Sequence, residues 1–148
     1  MPRVLILVGS KSDLEYAEQC RSLLKEFRID GDIEVCSAHR QPQKTAELAG
    51  KAEETGYEVI VAMAGLSAAL PGVAAAHSIL PVIGVPLPAA LDGLDALLSV
   101  VQMPPGIPVA AVAIGAPGAK NAAILAARIL ALKYPDVRAA VAQHRQAL

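Results

Sequence analysis

Five short runs of almost unbroken apolar residues alternate along the chain with longer segments in which apolar positions recur every three or four residues. The short runs are Val4–Val8, Ile33–Cys36, Val59–Ala64, Pro81–Val85 and Val109–Ile114. They are rich in β-branched residues and lack polar alternation, the pattern predicted for strands covered on both faces. The first periodic segment carries Ser12 and Glu15 at capping-box spacing, an apolar stripe of Leu14, Ala17, Leu24 and Phe27, and Gly31 just beyond its end. These are helix start and stop signals. A second helix is predicted from Pro42, a favoured first-turn residue, to Gly56. Further helices are expected at about Ala68–His77, Leu91–Val101 and Lys120–Leu132, and a last one after Pro135, from about residue 136.

Strands that alternate with helical crossovers imply a parallel sheet, because parallel neighbours need a long right-handed connection. The expected fold class is therefore α/β: a doubly wound parallel sheet of about five strands in a three-layer sandwich. In such sheets ligands bind beyond the carboxyl ends of the strands, where the strand order reverses. Three of those ends carry polar chemistry: Val8–Asp13 (VGSKSD), Cys36–Pro42 (CSAHRQP) and Ala64–Gly72 (AGLSAALPG). Each puts small or hydroxyl residues ahead of a helix, so backbone N–H groups and positive dipole ends point at one mouth. Ser10 and Arg40 complete an anion cradle, the guanidinium suiting phosphate oxygens. Asp13 repels phosphate but accepts hydrogen bonds from ribose hydroxyls, so a phosphoribosyl ligand satisfies both.

Plainer readings apply to the same residues. Ser12 and Ser37 suit helix caps, Ser10 and Asp13 suit a turn, and an isolated Arg40 suits a solvated surface. Of three histidines, His77 in an alanine-rich helix and His144 in a polar tail read as structural or surface residues. His39 stands apart, beside Ser37 and Arg40 at a strand end, where an imidazole can exchange protons near neutrality.

Composition narrows the remaining classes. The length of 148 residues fits one domain, spanning residues 1–148, that buries about two thirds of its unfolded surface. Net charge is -1 and aromatics make up 3%, which gives neither an electrostatic stripe nor a stacking platform for nucleic acid. Met1-Pro2-Arg3 runs directly into a strand, with no leader pattern, and no apolar stretch reaches the roughly 18 residues a membrane span needs. Cys20 and Cys36 have neither disulfide-framework nor zinc-ligand spacing and fit a reducing, cytoplasmic setting. No GxGxxG follows the first strand and no GxxxxGK[ST] occurs, which argues against dinucleotide and P-loop chemistry. The third strand ends in Ala62-Met63-Ala64 rather than a phosphoacceptor aspartate, and the absence of Trp argues against a flavin carrier.

Six ordered blocks go further. They are GSKSD at Gly9–Asp13, SAHR at Ser37–Arg40, ALPG at Ala69–Gly72, PVIGVP at Pro81–Pro86, SVVQMPPGIPV at Ser99–Val109 and IGAPGAKNAAILAARIL at Ile114–Leu130. With them the chain resembles the phosphoribosylaminoimidazole carboxylase catalytic-subunit family, which includes the N5-carboxyaminoimidazole ribonucleotide mutases of purine biosynthesis. The resemblance implies a flavodoxin-like sandwich, a homo-octamer, and no metal or organic cofactor. It implies that Ser10 and Asp13 bind the nucleotide, that Ser37 and Arg40 contact its phosphate, and that His39 is catalytic. Gly9, Ala38, Gly65, Leu66, Ser67, Ala69, Leu70 and Pro71 would surround the imidazole ring and carbon dioxide. Ala68 would extend that wall, with the Met103–Gly106 turn and the Gly115–Gly118 loop closing over it.

One block departs from the family's common pattern. The mutase branch usually has Gly-Gly-Ala-Ala-His-Leu-Pro-Gly after the third strand, whereas this chain has Gly65-Leu66-Ser67-Ala68-Ala69-Leu70-Pro71-Gly72, with Ala69 in the histidine position. That loop resembles the branch that carboxylates aminoimidazole ribonucleotide directly. The Gln102–Pro108 and Ile114–Gly118 blocks resemble the mutase branch, so mutase is the preferred reading and direct carboxylase the alternative. A non-catalytic nucleotide-binding paralogue is the alternative from another class.

At 54% apolar and 18% charged residues, with Arg128 the sole charge in Asn121–Leu132, the chain also suggests subunit contacts. A helix apolar nearly all round must be buried on more than one side. Packing as a central helix within one chain is the other solution.

Overall fold

The computed structural model describes Met1–Leu148. Five strands, β1 (Arg3–Val8), β2 (Asp30–Val35), β3 (Val59–Ala64), β4 (Val82–Pro86) and β5 (Ala110–Ala111), alternate with helices. These are α1 (Leu14–Glu26), α2 (Pro42–Gly50), α3 (Ala69–His77), α4 (Leu94–Val101), α5 (Ala116–Leu130) and α6 (Pro135–Gln146). Every strand pair is parallel. The order β2-β1-β3-β4-β5 is the flavodoxin-like arrangement.

The unbroken apolar runs have a two-sided explanation. Val4, Ile6 and Val8 of β1, with Val59, Val61 and Met63 of β3, face one core with Ala17, Cys20 and Leu24 of α1 and the alanines of α5. Leu5, Leu7, Ile60, Ala62 and Ala64 point the other way, toward Ala49 of α2, Leu70 and Ala74 of α3, and Ala96 and Val100 of α4. Successive strand residues alternate faces, and here both faces are dry.

The apolar helix α5 is buried by its own chain. Ala119, Ala122, Ala123, Ala126, Ala127 and Leu130 lie in the first core together with α1 and with Val137 of α6. Small side chains let it lie close against its neighbours, so the central-helix solution accounts for its composition.

Several boundaries differ from the sequence expectation. β2 begins at Asp30 and ends at Val35, because pairing from Arg3↔Asp30 to Val8↔Val35 carries polar residues on a sheet edge where apolar content is not required. α2 stops at Gly50 and gives way to turns before Gly56, which has a positive φ of 92°. α4 begins at Leu94 because Leu91, Asp92 and Gly93 all have positive φ. α5 starts at Ala116, with Pro117 in its first turn, and ends at Leu130. β5 shrinks to Ala110–Ala111.

The Ser12–Glu15 capping box does not form. Ser12 lies inside a 3-10 turn, Lys11–Asp13, which Ser10 caps by accepting from the Ser12 N–H. Asp13 then occupies the N-cap of α1 without a side-chain cap bond. No helix is long and apolar enough to cross a membrane.

Candidate active site

The strand order reverses between β1 and β3, so the loops leaving their carboxyl ends part and leave a crevice. Backbone bonds fix its floor: Gly9 N–H donates to Met63 O at 3.3 Å, Cys36 N–H to Val8 O at 2.8 Å, and Leu87 N–H to Ala64 O at 2.9 Å. A cleft of about 350 Å³ opens above them, within the range of small-molecule sites.

Three chain segments predicted from the sequence meet there. Gly9, Ser10 and Asp13 come from the loop after β1, and Ser37, Ala38, His39 and Arg40 from the loop after β2. Gly65, Leu66, Ala69 and Leu70 come from the loop after β3 and the start of α3. Two expected members do not line the cleft: Ser67 is exposed at the loop tip, and Pro71 is buried against the backbone of Gly84. Ala68 is buried in the second core.

Within this chain the cleft also stops short of the two later loops. Met103 packs on Gly72 and Gly115 lies beside Pro88, and neither lines the cavity. The wall on that side is Leu87, Pro88 and Ala89, just past β4. Sequence reasoning missed these because apolar and proline residues after a strand carry no chemical signature; their only signal is their place beyond a strand's carboxyl end.

Local hydrogen bonding explains how the loop after β2 presents its side chains. Gln41 N–H donates to Ser37 O at 2.8 Å and Arg40 N–H to Ser37 Oγ at 3.1 Å, which folds residues 37–41 into a tight turn. Thr45, the one fully buried polar side chain, fastens that turn to α2 by donating toward Ser37 O and Gln41 O, at 3.3 and 3.0 Å. Lys44 Nζ donates to Val35 O at 2.7 Å and holds α2 to the end of β2. The side chains of His39 and Arg40 project from the turn, exposed at the mouth.

On the adjoining loop after β1, Ser10 Oγ lies 2.8 Å from Ser12 Oγ. Burial pushes the neighbouring Asp13 carboxyl above the ordinary aspartate range. Hydroxyls, turn N–H groups and one guanidinium therefore gather at one end of the cleft. Apolar and glycine surface forms the other end. The imidazole of His39 is exposed at the rim. The arrangement can hold an anionic, hydroxylated ligand by its polar end and exchange a proton with an atom seated against the apolar wall.

A family model described as AIR carboxylase matches residues 3–148. The chain is 52% identical over 147 residues to the N5-carboxyaminoimidazole ribonucleotide mutase of Pyrococcus abyssi, covering 99% of this chain and 83% of that one. It is 50% identical over 141 residues to the Mycobacterium tuberculosis protein of the same name, covering 95% and 80% respectively. The solved structure of Treponema denticola PurE superposes with a TM-score of 0.90 at 33% identity, over 99% of this chain and 91% of that one.

Proposed function

The chain belongs to the AIR carboxylase family, and on that premise we propose that it converts N5-carboxyaminoimidazole ribonucleotide to 4-carboxyaminoimidazole ribonucleotide in purine biosynthesis. The observation that carries the reading is the meeting of Ser10 and Asp13, Ser37, His39 and Arg40, and the Gly65–Leu70 segment in one cleft. Membership supplies the chemistry, and the cleft supplies groups suited to each part of the substrate.

Arg40, the Ser37 turn and Ser10 hold the phosphate, and Asp13 accepts from ribose hydroxyls. The carboxylate begins on the exocyclic amine. The N–C bond breaks to release carbon dioxide, and the amine nitrogen takes a proton from His39. The enamine-like ring carbon then attacks that carbon dioxide, forming the new C–C bond. The same ring carbon gives up its hydrogen to His39, which restores aromaticity and the imidazole's starting protonation. Protons and carboxylate balance, so the net change is an isomerisation. The wall of Gly65, Leu66, Ala69, Leu70 and Pro88 keeps water away from the released carbon dioxide.

Direct carboxylation of aminoimidazole ribonucleotide is the second reading, favoured by Ala69, which lines the cleft where the usual mutase loop carries histidine. Each substrate supplied separately to the purified protein decides between them. Faster ring carboxylation from the carboxyamino nucleotide, without added bicarbonate, is expected. Product only from aminoimidazole ribonucleotide, in proportion to dissolved carbon dioxide, would establish the direct carboxylase. Product from neither would leave a nucleotide-binding paralogue.

For His39→Asn we expect turnover to fall by about 10²–10⁴-fold with nucleotide affinity nearly intact, as for loss of a general acid and base. Turnover at the wild-type rate would remove His39 from the mechanism.

The reading includes a cytoplasmic homo-oligomer, an octamer by family resemblance. Supporting it, Leu91, Leu94, Leu98 and Val101 are 73%, 53%, 50% and 51% exposed along one stripe of α4 and the turn before it. A contiguous apolar stripe of this kind marks a contact surface.

A further inference from the structure

The loop after β3 holds a backbone that its residue types do not favour. Leu66 and Ser67, neither of them glycine, follow one another at φ of 45° and 56°, a left-handed conformation that single non-glycine residues visit only occasionally. Something outside the loop must select it.

Ser67 N–H donates to Asp95 Oδ2 at 2.7 Å, across 28 residues of sequence. Asp95 sits in the first turn of α4. Its second oxygen, Oδ1, is buried and has no hydrogen-bond partner. An acidic residue that only complemented the helix dipole would keep both oxygens in water. This one gives up solvation at Oδ1 to place Oδ2 under the loop, and a buried unsatisfied acceptor in a well-paired fold calls for a reason.

We propose that Asp95 is a positioning residue for the cleft. By accepting from Ser67 N–H its carboxylate selects the left-handed pair Leu66–Ser67, and so sets where Gly65, Leu66 and Ala69 stand against the reacting end of the substrate. It touches neither substrate nor His39. The effect passes through the loop alone, because the polar end of the cleft is built on the loops after β1 and β2.

The inference rests on the proposed turnover, so its test has a part independent of activity. In wild-type protein the Ser67 amide, although at an exposed loop tip, should exchange with deuterium more slowly than other exposed loop amides; unprotected exchange overturns the clamp whether or not the protein turns over. Absence of wild-type turnover would refute the functional reading and leave amide exchange to decide the contact.

With turnover established, Asp95→Ala should lower kcat by about 10–100-fold, the scale of a slight misplacement, with KM changed less than about threefold. Asp95→Asn, which retains an accepting oxygen, should recover most of the loss. Wild-type kcat in Asp95→Ala, or Asp95→Asn as impaired as Asp95→Ala, overturns the proposal. So does a lower melting temperature with kcat unchanged. If Asp95→Ala fails to fold, the kcat of Asp95→Asn and wild-type amide exchange decide.

Discussion

Asp13 shows at a single residue how a carboxyl lining the cleft strains against the fold that holds it. Its carboxyl is pushed up by burial, so the folded chain takes up that proton more readily than the unfolded chain does. The resulting cost to stability is absent below the unfolded pKa, grows as pH rises through the folded pKa, and is full above it. Asp13→Asn should therefore melt slightly higher than wild type at pH 7, on the order of 1–2 °C, with the difference vanishing near pH 3. Nucleotide affinity should fall at the same time. A lower melting temperature for the variant at pH 7 would contradict the burial argument. That Asp13 and His39 line the cleft was legible in the sequence because both stand shortly past the carboxyl end of an apolar run. Asp95 was not, since nothing local in Leu94-Asp95-Ala96 separates a loop clamp from an ordinary first-turn acid. Thr45 was hidden in the same way, as its hydroxyl is explained only by the carbonyls of Ser37 and Gln41.

Elements were legible to the extent that their cause was local. β1 and β3 are buried on both faces, and unbroken apolar runs announce them. β2 lies at a sheet edge with Asp30, Gly31 and Asp32 in its ladder, so its start is set by pairing with β1 and not by its own residues. The start of α5 is tertiary too. Gly118 lies so close to the preceding loop that a Cβ there would fall 1.7 Å from the carbonyl oxygen of Ala113. That obstacle is main chain, which no rotamer change can clear. Gly118→Ala is expected to destabilise the protein by about 3 kcal/mol, read as a lower urea midpoint with little change in slope. An unshifted midpoint would mean that the loop and α5 separate more easily than their packing indicates.

For the whole molecule, a doubly wound parallel sheet was implicit in the alternation of strands and helices and its flavodoxin-like form in the family resemblance, but where apolar surface remained was not. The sequence pointed to α5, which the chain buries for itself, whereas the stripe left open lies on α4. Light scattering at micromolar concentration should give a mass several times that of one chain, and Leu98→Glu should shift it toward smaller species. A single-chain mass for the wild type would refute assembly. The cleft draws its lining from Gly9 to Ala89 and from nothing later in the chain. The polypeptide is thus divided along its length: the first three fifths line the cleft, while the remainder supplies α5 against the sheet and the exposed stripe on α4. Substitutions before residue 90 would then alter what the cleft can hold, and those after it, Asp95 apart, how the chain packs and what its open stripe can meet. Asp95 is the point at which the second part reaches back to govern the first.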